Sequence, residues 1–311
     1  MIKFNLHLAM VVVPSLILFS ACNSGNNDQS KSTAVLDTVS LSNKRFALAY
    51  QDGDKIVATS IDTMKQISFG GANHPAISPD GNKLAYTVKD SVGNNSIWVA
   101  DMESKSQLHL QVNSKNYDDA VWSPNGGTIA FNFLNDQKIW KVGIIKADNT
   151  GFLVLDSKSA IAVSSPVWKT ETELMAHDLK NIYTFNLNGK LMETNSIADL
   201  LGAAYHISAS DRFFYAQNGK ILVFNSKYGK AITELNDMAN AVFTLDLNSR
   251  KIKRISPEGM NTSAVFVTAD DRIFYSGAEN PYTQSKIYVS DLEGNVKLLV
   301  NKGMNPTATL K

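Results

Sequence analysis

The chain has 311 residues, with 30 lysines and arginines against 29 aspartates and glutamates, a formal net charge of +1. An apolar share of 44 % suffices for a core, and a charged share of 19 % is too low for a disordered polyelectrolyte. The balanced charge speaks against nucleic acid or an anionic membrane surface as partner, and the single cysteine excludes an internal disulfide.

Residues 1–21 read as a secretory signal. Lys3 supplies a positive start, and Leu8 to Phe19 is an apolar run too short for a stable membrane-spanning helix. Ser20-Ala21 then sets small residues immediately before Cys22. This arrangement resembles a bacterial lipobox, which implies that Cys22 is lipidated and becomes the mature N-terminus. Several acyl chains there would anchor the protein stably, whereas one binds only marginally. Asn23 is not the aspartate that commonly retains lipoproteins at the inner membrane, so the outer membrane, facing the periplasm, is expected. Removing residues 1–21 takes away Lys3 and no acid, leaving a formally neutral protein. Residues 22–43 are polar, rich in Ser and Asn, and read as a flexible tether reaching roughly 25 Å.

Residues 44–311 read as one all-β domain. Arg45 to Tyr50, Lys55 to Asp62 and Met64 to Ser68 are three strands with no opening strand before them. The stretch from His74 to Asp101 then sets a pattern. Pro75-Ala76-Ile77-Ser78 is a strand, and Pro79-Asp80-Gly81 a tight turn in which Pro presets φ and Gly accepts a positive one. Lys83 to Val88 and Ile97 to Asp101 are two further strands.

Copies follow in order. Ala120-Val121-Trp122-Ser123-Pro124-Asn125-Gly126 answers the first strand and turn, with Ile129 to Phe131 and Ile139 to Val142 behind it. Ser165 to Trp168, Leu174 to Ala176 and Ile182 to Phe185 make the next copy. Tyr205 to Ser208 with Phe213 to Tyr215 begins another, and Ala264 to Val267, Ile273 to Tyr275 and Ile287 to Asp291 make the last. Tyr86, Phe131 and Ala176 recur every 45 residues, the period of a four-stranded propeller blade. A single blade cannot bury both faces, so such repeats stack in a ring.

The ends and one interval complete the count. Met304 to Lys311 is an opening strand with nothing after it, so pairing it with the N-terminal strands closes the ring as a sixth blade. The step from Tyr215 to Tyr275 is 60 residues, about 15 over the period. Asn218-Gly219 is a hairpin signal, and an extra hairpin over residues 217–240 is expected between the second and third strands of that blade.

Ser78-Pro79-Asp80-Gly81, Leu84-Ala85-Tyr86 and Ile97-Trp98-Val99-Ala100-Asp101 resemble the TolB-type propeller repeat. The likeness spans residues 45 to 311 and implies a six-bladed propeller of four-stranded blades. It implies little about activity, because propellers host many.

Loops before the innermost strands share one face of such a ring. They collect His74, Tyr117, Asp118, Asp119, Tyr205 and His206 as candidate ligand- or partner-binding residues at the channel mouth. The blander expectation for each is strand capping or loop solvation, and the four tryptophans fall at strand positions that suit packing between blades. No nucleophile elbow, phosphate loop or dinucleotide fingerprint occurs, so neither catalytic residues nor a cofactor are assigned. The expected protein is a lipid-anchored, monomeric envelope propeller binding an envelope protein or polysaccharide without chemistry. The alternative is a metal-assisted lactonase or sugar lyase drawing on His74, His206 and Asp118 or Asp119.

Overall fold

The structure is a computed structural model that describes residues 46–60, 66–156, 160–233, 236–279 and 283–309. Cys22, the signal segment and the tether lie outside the described residues. The described chain is an all-β six-bladed propeller with four antiparallel strands in each blade.

Blade one holds β1 (Leu48–Asp52), β2 (Lys55–Thr59) and β3 (Gln66–Gly70). Blade two runs β4 (Ala72–Ile77), β5 (Lys83–Lys89), β6 (Asn95–Asp101) and β7 (Gln107–His109). Blade three runs β8 (Tyr117–Trp122), β9 (Thr128–Leu134), β10 (Trp140–Lys146) and β11 (Leu153–Val154). Blade four runs β12 (Ser164–Trp168), β13 (Glu173–His177), β14 (Asn181–Asn186) and β15 (Leu191–Ser196). A short helix, α1 (Ile197–Leu201), leads on to blade five, its first turn capped by Ser196 Oγ accepting from Asp199 N at 3.2 Å. Blade five runs β16 (Phe213–Ala216), β17 (Ile221–Ile232), β18 (Asp237–Asp246) and β19 (Ile252–Arg254). Blade six runs β20 (Asn261–Val267), β21 (Ile273–Ala278), β22 (Lys286–Ser290) and β23 (Val296–Val300). The last strand, β24 (Met304–Ala308), pairs with β1 and supplies the innermost strand of blade one. The expected closure is therefore present.

The turn between the first two strands of a blade is built by side chains. Ser78 Oγ accepts from Lys83 N at 2.8 Å and donates to Asp80 Oδ1, while Gly81 takes φ 73°. Ser123 and Asn125 repeat the arrangement, with Ser123 Oγ accepting from Thr128 N at 3.0 Å. Thr268 and Asp270 do the same in blade six, so the motif persists where its spelling is lost.

Blades cohere through apolar faces and through hydrogen bonds to neighbouring backbone. Ala49, Ile56 and Ala58 pack with Leu84, Tyr86 and Ala100, joining blades one and two. Leu48, Tyr50 and Val57 meet Phe274 and Ile287 at the closing seam. Trp122 Nε1 donates to Ala76 O at 2.7 Å, and Trp168 Nε1 to Val121 O at 3.2 Å, each reaching the inner strand of the preceding blade. At the seam Thr307 Oγ1 accepts from Ile77 N at 3.1 Å, tying β24 to blade two.

Blade five departs from expectation. Phe213 to Ala216 is the inner strand, not the second, and the Asn218–Gly219 turn joins it to β17. Among the described residues, no additional hairpin separates the second and third strands. They are the long β17 and β18 themselves, paired from Ile221↔Asp246 to Ile232↔Asp237. Tyr205 to Ser208 is not a separate opening strand of full length. His206 alone forms a bridge with Lys227, ahead of the start of β16. The surplus residues thus lengthen an existing hairpin and the approach to it.

Candidate functional site

The inner strands carry the feature that builds the site. The pairings of β24, β4, β8, β12 and β20 with their neighbours each slip at a bulge near the start of the strand. In four of them one residue takes a positive φ: Asn305, His74, Asp119 and Ser165. A bulge inserts an extra residue, bends the strand and re-aims side chains that strict alternation would send elsewhere. Here it turns polar residues toward the axis of the ring. They line a cavity of about 580 Å³ to which every blade contributes, among others through Asn305, His74, Asp119, Ser165, Arg212 and Thr262.

An ion pair between Asp119 Oδ1 and Arg212 Nη2 dominates its electrostatics, with 26 % and 12 % of the two side chains accessible. Asn132 on β9 orients it: Nδ2 donates to Asp119 Oδ2 at 3.3 Å, and Oδ1 accepts from Ser165 N at 3.0 Å. Burial works to raise the Asp119 carboxyl, and the Arg212 guanidinium, the nearby His74 ring and the hydrogen bond from Asn132 together outweigh it, so the carboxyl titrates below the ordinary aspartate range. Its neighbour Asp118 moves the other way. Burial and the adjacent Asp119 charge push the Asp118 carboxyl up, against a hydrogen bond from Asn95 Nδ2 at 2.9 Å.

A second network backs the blade-five side. Asp211 is 1 % exposed and accepts from Ser208 N at 2.6 Å, from Asn240 Nδ2 at 3.3 Å and from Asn225 Nδ2. Burial nevertheless raises its carboxyl. His177 is equally buried, and its Nε2–H donates to Asp211 O at 2.8 Å while Nδ1 accepts from Leu179 N at 3.3 Å. Two fixed partners specify one neutral tautomer, and burial lowers its proton affinity.

Of the residues expected at the mouth, His74, Asp118 and Asp119 line the cavity together. Tyr117 does not. It is 4 % exposed, accepts from His109 Nε2 at 2.9 Å and donates to Leu110 O at 2.7 Å, and burial pushes its hydroxyl up to about 12. It packs within the apolar cluster shared by blades two and three. Tyr205 also stands away from the cavity, stacked on Tyr228 with ring centroids 4.6 Å apart and edge-on to Phe243. His206 is exposed on the backbone bridge to Lys227 and does not reach the lining. The two histidines and the aspartate pair therefore do not converge on one point. Among the described residues, no three His, Cys, Asp or Glu side chains gather so as to hold a metal ion.

Sequence reasoning missed Ser165 and Arg212. The signal for Ser165 was present, because it follows Asp119 by 46 residues, one more than the 45 that separate Asp119 from His74. Arg212 carried none, since the irregular approach to blade five hides its equivalence.

Neither a protein-family model nor a curated protein sequence matches the chain. Solved structures do resemble it. TolB from Acinetobacter baumannii superposes with a TM-score of 0.61 over 85 % of this chain at 13 % identity, and the chain spans 66 % of that protein's length. The putative TolB from Agrobacterium tumefaciens gives 0.56 over 84 % of this chain and 92 % of its own, at 12 % identity. Kuenenia stuttgartiensis hydrazine synthase gives 0.60 over 85 % and 46 %, also at 12 % identity. At such identities the likeness is one of fold: the domain is a TolB-like propeller.

Proposed function

We propose that this protein is a lipid-anchored propeller of the cell envelope, in the outer membrane facing the periplasm, that captures a segment of an envelope protein in its central cavity without altering it. The observation that carries the reading is the cavity itself, about 580 Å³ and lined by every blade. Its lining is mixed. Trp140, Val163 and Leu179 offer apolar surface, and His74, Asp118 and Asn305 offer polar groups. A chain segment with alternating polar and apolar side chains matches such a lining better than a uniformly hydroxylated polysaccharide does. The anchor rests on the Cys22 pattern, and the tether over 22–43 would let the ring face its partner.

The test is crosslinking capture from intact envelopes, comparing the parent with a His74→Ala, Leu179→Ser double variant. Both side chains are exposed at the lining, so the fold should persist. The reading expects one or a few proteins to be captured by the parent and lost from the variant at unchanged melting temperature. Capture of sugar chains instead would favour a polysaccharide ligand. Identical capture by parent and variant would remove the cavity as the working site.

A further inference from the structure

The cavity has an unbalanced set of polar groups. Four carboxyl-bearing residues line it, Asp118, Asp119, Asp178 and Asp211, against the Arg212 guanidinium and the His74 imidazole. Arg212 is already committed to Asp119, and His177 is held neutral by its two hydrogen bonds. Carboxyl groups thus outnumber basic groups in the cavity of a chain whose formal net charge is only +1, and those of Asp118 and Asp178 have no cation paired with them among the ion pairs of the described residues. An anionic ligand would have to part Arg212 from Asp119 and then sit among the other carboxyls.

A second observation is independent of charge. Two side-chain oxygens of lining residues, Asn240 Oδ1 and Thr262 Oγ1, are buried and have no hydrogen-bond partner, and Thr262 is only 3 % exposed. An amide oxygen can only accept, so what Asn240 lacks is a donor. A buried amide oxygen without a donor is uncommon in folded proteins and calls for an explanation, whereas the Thr262 hydroxyl can take either a donor or an acceptor. Trp140, Val163 and Leu179 add an apolar wall, and Leu179 leaves 49 % of its surface exposed.

From the surplus of carboxyls, the unmet Asn240 oxygen beside the unpartnered Thr262 hydroxyl, and the apolar wall together, we propose that the cavity recognises a primary ammonium group on an aliphatic stem, as a lysine side chain of the captured segment presents. This rests on the cavity being the binding site and names the group it reads. The ammonium supplies three donors and one positive charge, and the stem covers the apolar wall.

Hexylammonium, hexan-1-ol and hexanoate test it, titrated into the full chain while the Trp140 indole resonance is followed by NMR. Hexylammonium is expected to saturate the shift at a concentration at least ten-fold below hexan-1-ol, with hexanoate inert. Asp118→Asn should weaken hexylammonium at least five-fold and leave hexan-1-ol unchanged, while the exposed Glu258→Gln should change neither. Equal binding of amine and alcohol, tighter binding of hexanoate, binding of none of the three, or an unaffected Asp118→Asn variant each overturns the assignment. The two readings fail separately. If envelope capture is lost in the cavity variant but amine shows no preference, the group is wrong and the site stands. If hexylammonium binds as expected but capture ignores the cavity variant, the amine pocket stands and the capture site lies elsewhere.

Discussion

Asp119 and Arg212 lie 93 residues apart in sequence, and their ion pair joins the inner strand of blade three to the start of blade five. Ser165 of blade four is drawn into the same group through Asn132, which bonds Asp119 with its amide nitrogen and Ser165 with its oxygen. Three blades are thus connected at the cavity lining by polar contacts, in addition to the apolar clusters that join them.

This relationship has a measurable energy. Arg212→Met should leave Asp119 enclosed without its counter-charge and lower stability by about 1–3 kcal/mol, less than for a fully buried pair because both side chains keep some access to solvent. Asp119→Asn together with Arg212→Met should cost less than the sum of the two single changes. A double-mutant cycle in urea checks the coupling, and strict additivity would show that the pair contributes nothing.

Acid should weaken the turn at Asp178. Burial alone would raise its carboxyl, but hydrogen bonds from the Asn181 and Lys180 amides and the Tyr183 hydroxyl outweigh burial and lower it. A lowered folded value means that the stabilisation is present above the ordinary aspartate value and is lost as pH falls through the lowered one. Asp178→Asn should therefore be less stable than the parent at neutral pH, with the gap closing at low pH. Melting curves from pH 7 to 2 measure this, and a gap independent of pH would contradict it.

The closing strand should be indispensable. Deleting residues 304–311 removes β24, bares the edge of β1 and takes the Thr307 bond from Ile77. A loss of about 4–5 kcal/mol or more is expected, with aggregation through the open edge. Light scattering and calorimetry together decide, and a truncated protein that melts like its parent would refute the role given to this strand.

The two bridging tryptophans should differ. Trp122→Phe strands the Ala76 carbonyl at a seam where the indole is 8 % exposed, and about 1–2 kcal/mol of stability should be lost. Trp168 is less buried and its bond is longer, so Trp168→Phe should cost less. Chemical denaturation of the two variants ranks them, and the reverse order would mean that packing, not the hydrogen bond, sets the cost.

The proposed lipid anchor at Cys22 is open to a direct assay. Cys22→Ser should abolish incorporation of radiolabelled fatty acid and release the protein from membranes, and a variant still labelled and membrane-bound would exclude lipidation at this residue. Density separation of the parent's membranes then locates it. Recovery only with inner membrane would reject the outer-membrane placement drawn from Asn23.

What the sequence determined by itself is the repeating unit. Ser78-Pro79-Asp80-Gly81 specifies its turn through contacts within five residues, and the unbroken apolar run Leu84-Ala85-Tyr86 specifies a strand buried on both faces, Leu84 and Tyr86 against blade one and Ala85 against blade three, so blade, period and ring were legible locally. The partner of the C-terminal strand followed as well, because three N-terminal strands without an opening one match a single opening strand near residue 304. Only the tertiary structure decided which polar residues meet at the axis. Neighbours Tyr117 and Asp118 end on opposite sides of one strand, the tyrosine against His109 and the aspartate in the cavity. In blade five, Phe213-Phe214-Tyr215 has the pattern of a second strand as much as of a first, and only its pairing with β17 separates the two. The physical reason is common to both cases. A bulge or a one-strand shift changes the side to which every later side chain points, and the partners that select it, such as Asn132, Arg212 and Lys227, are distant in sequence.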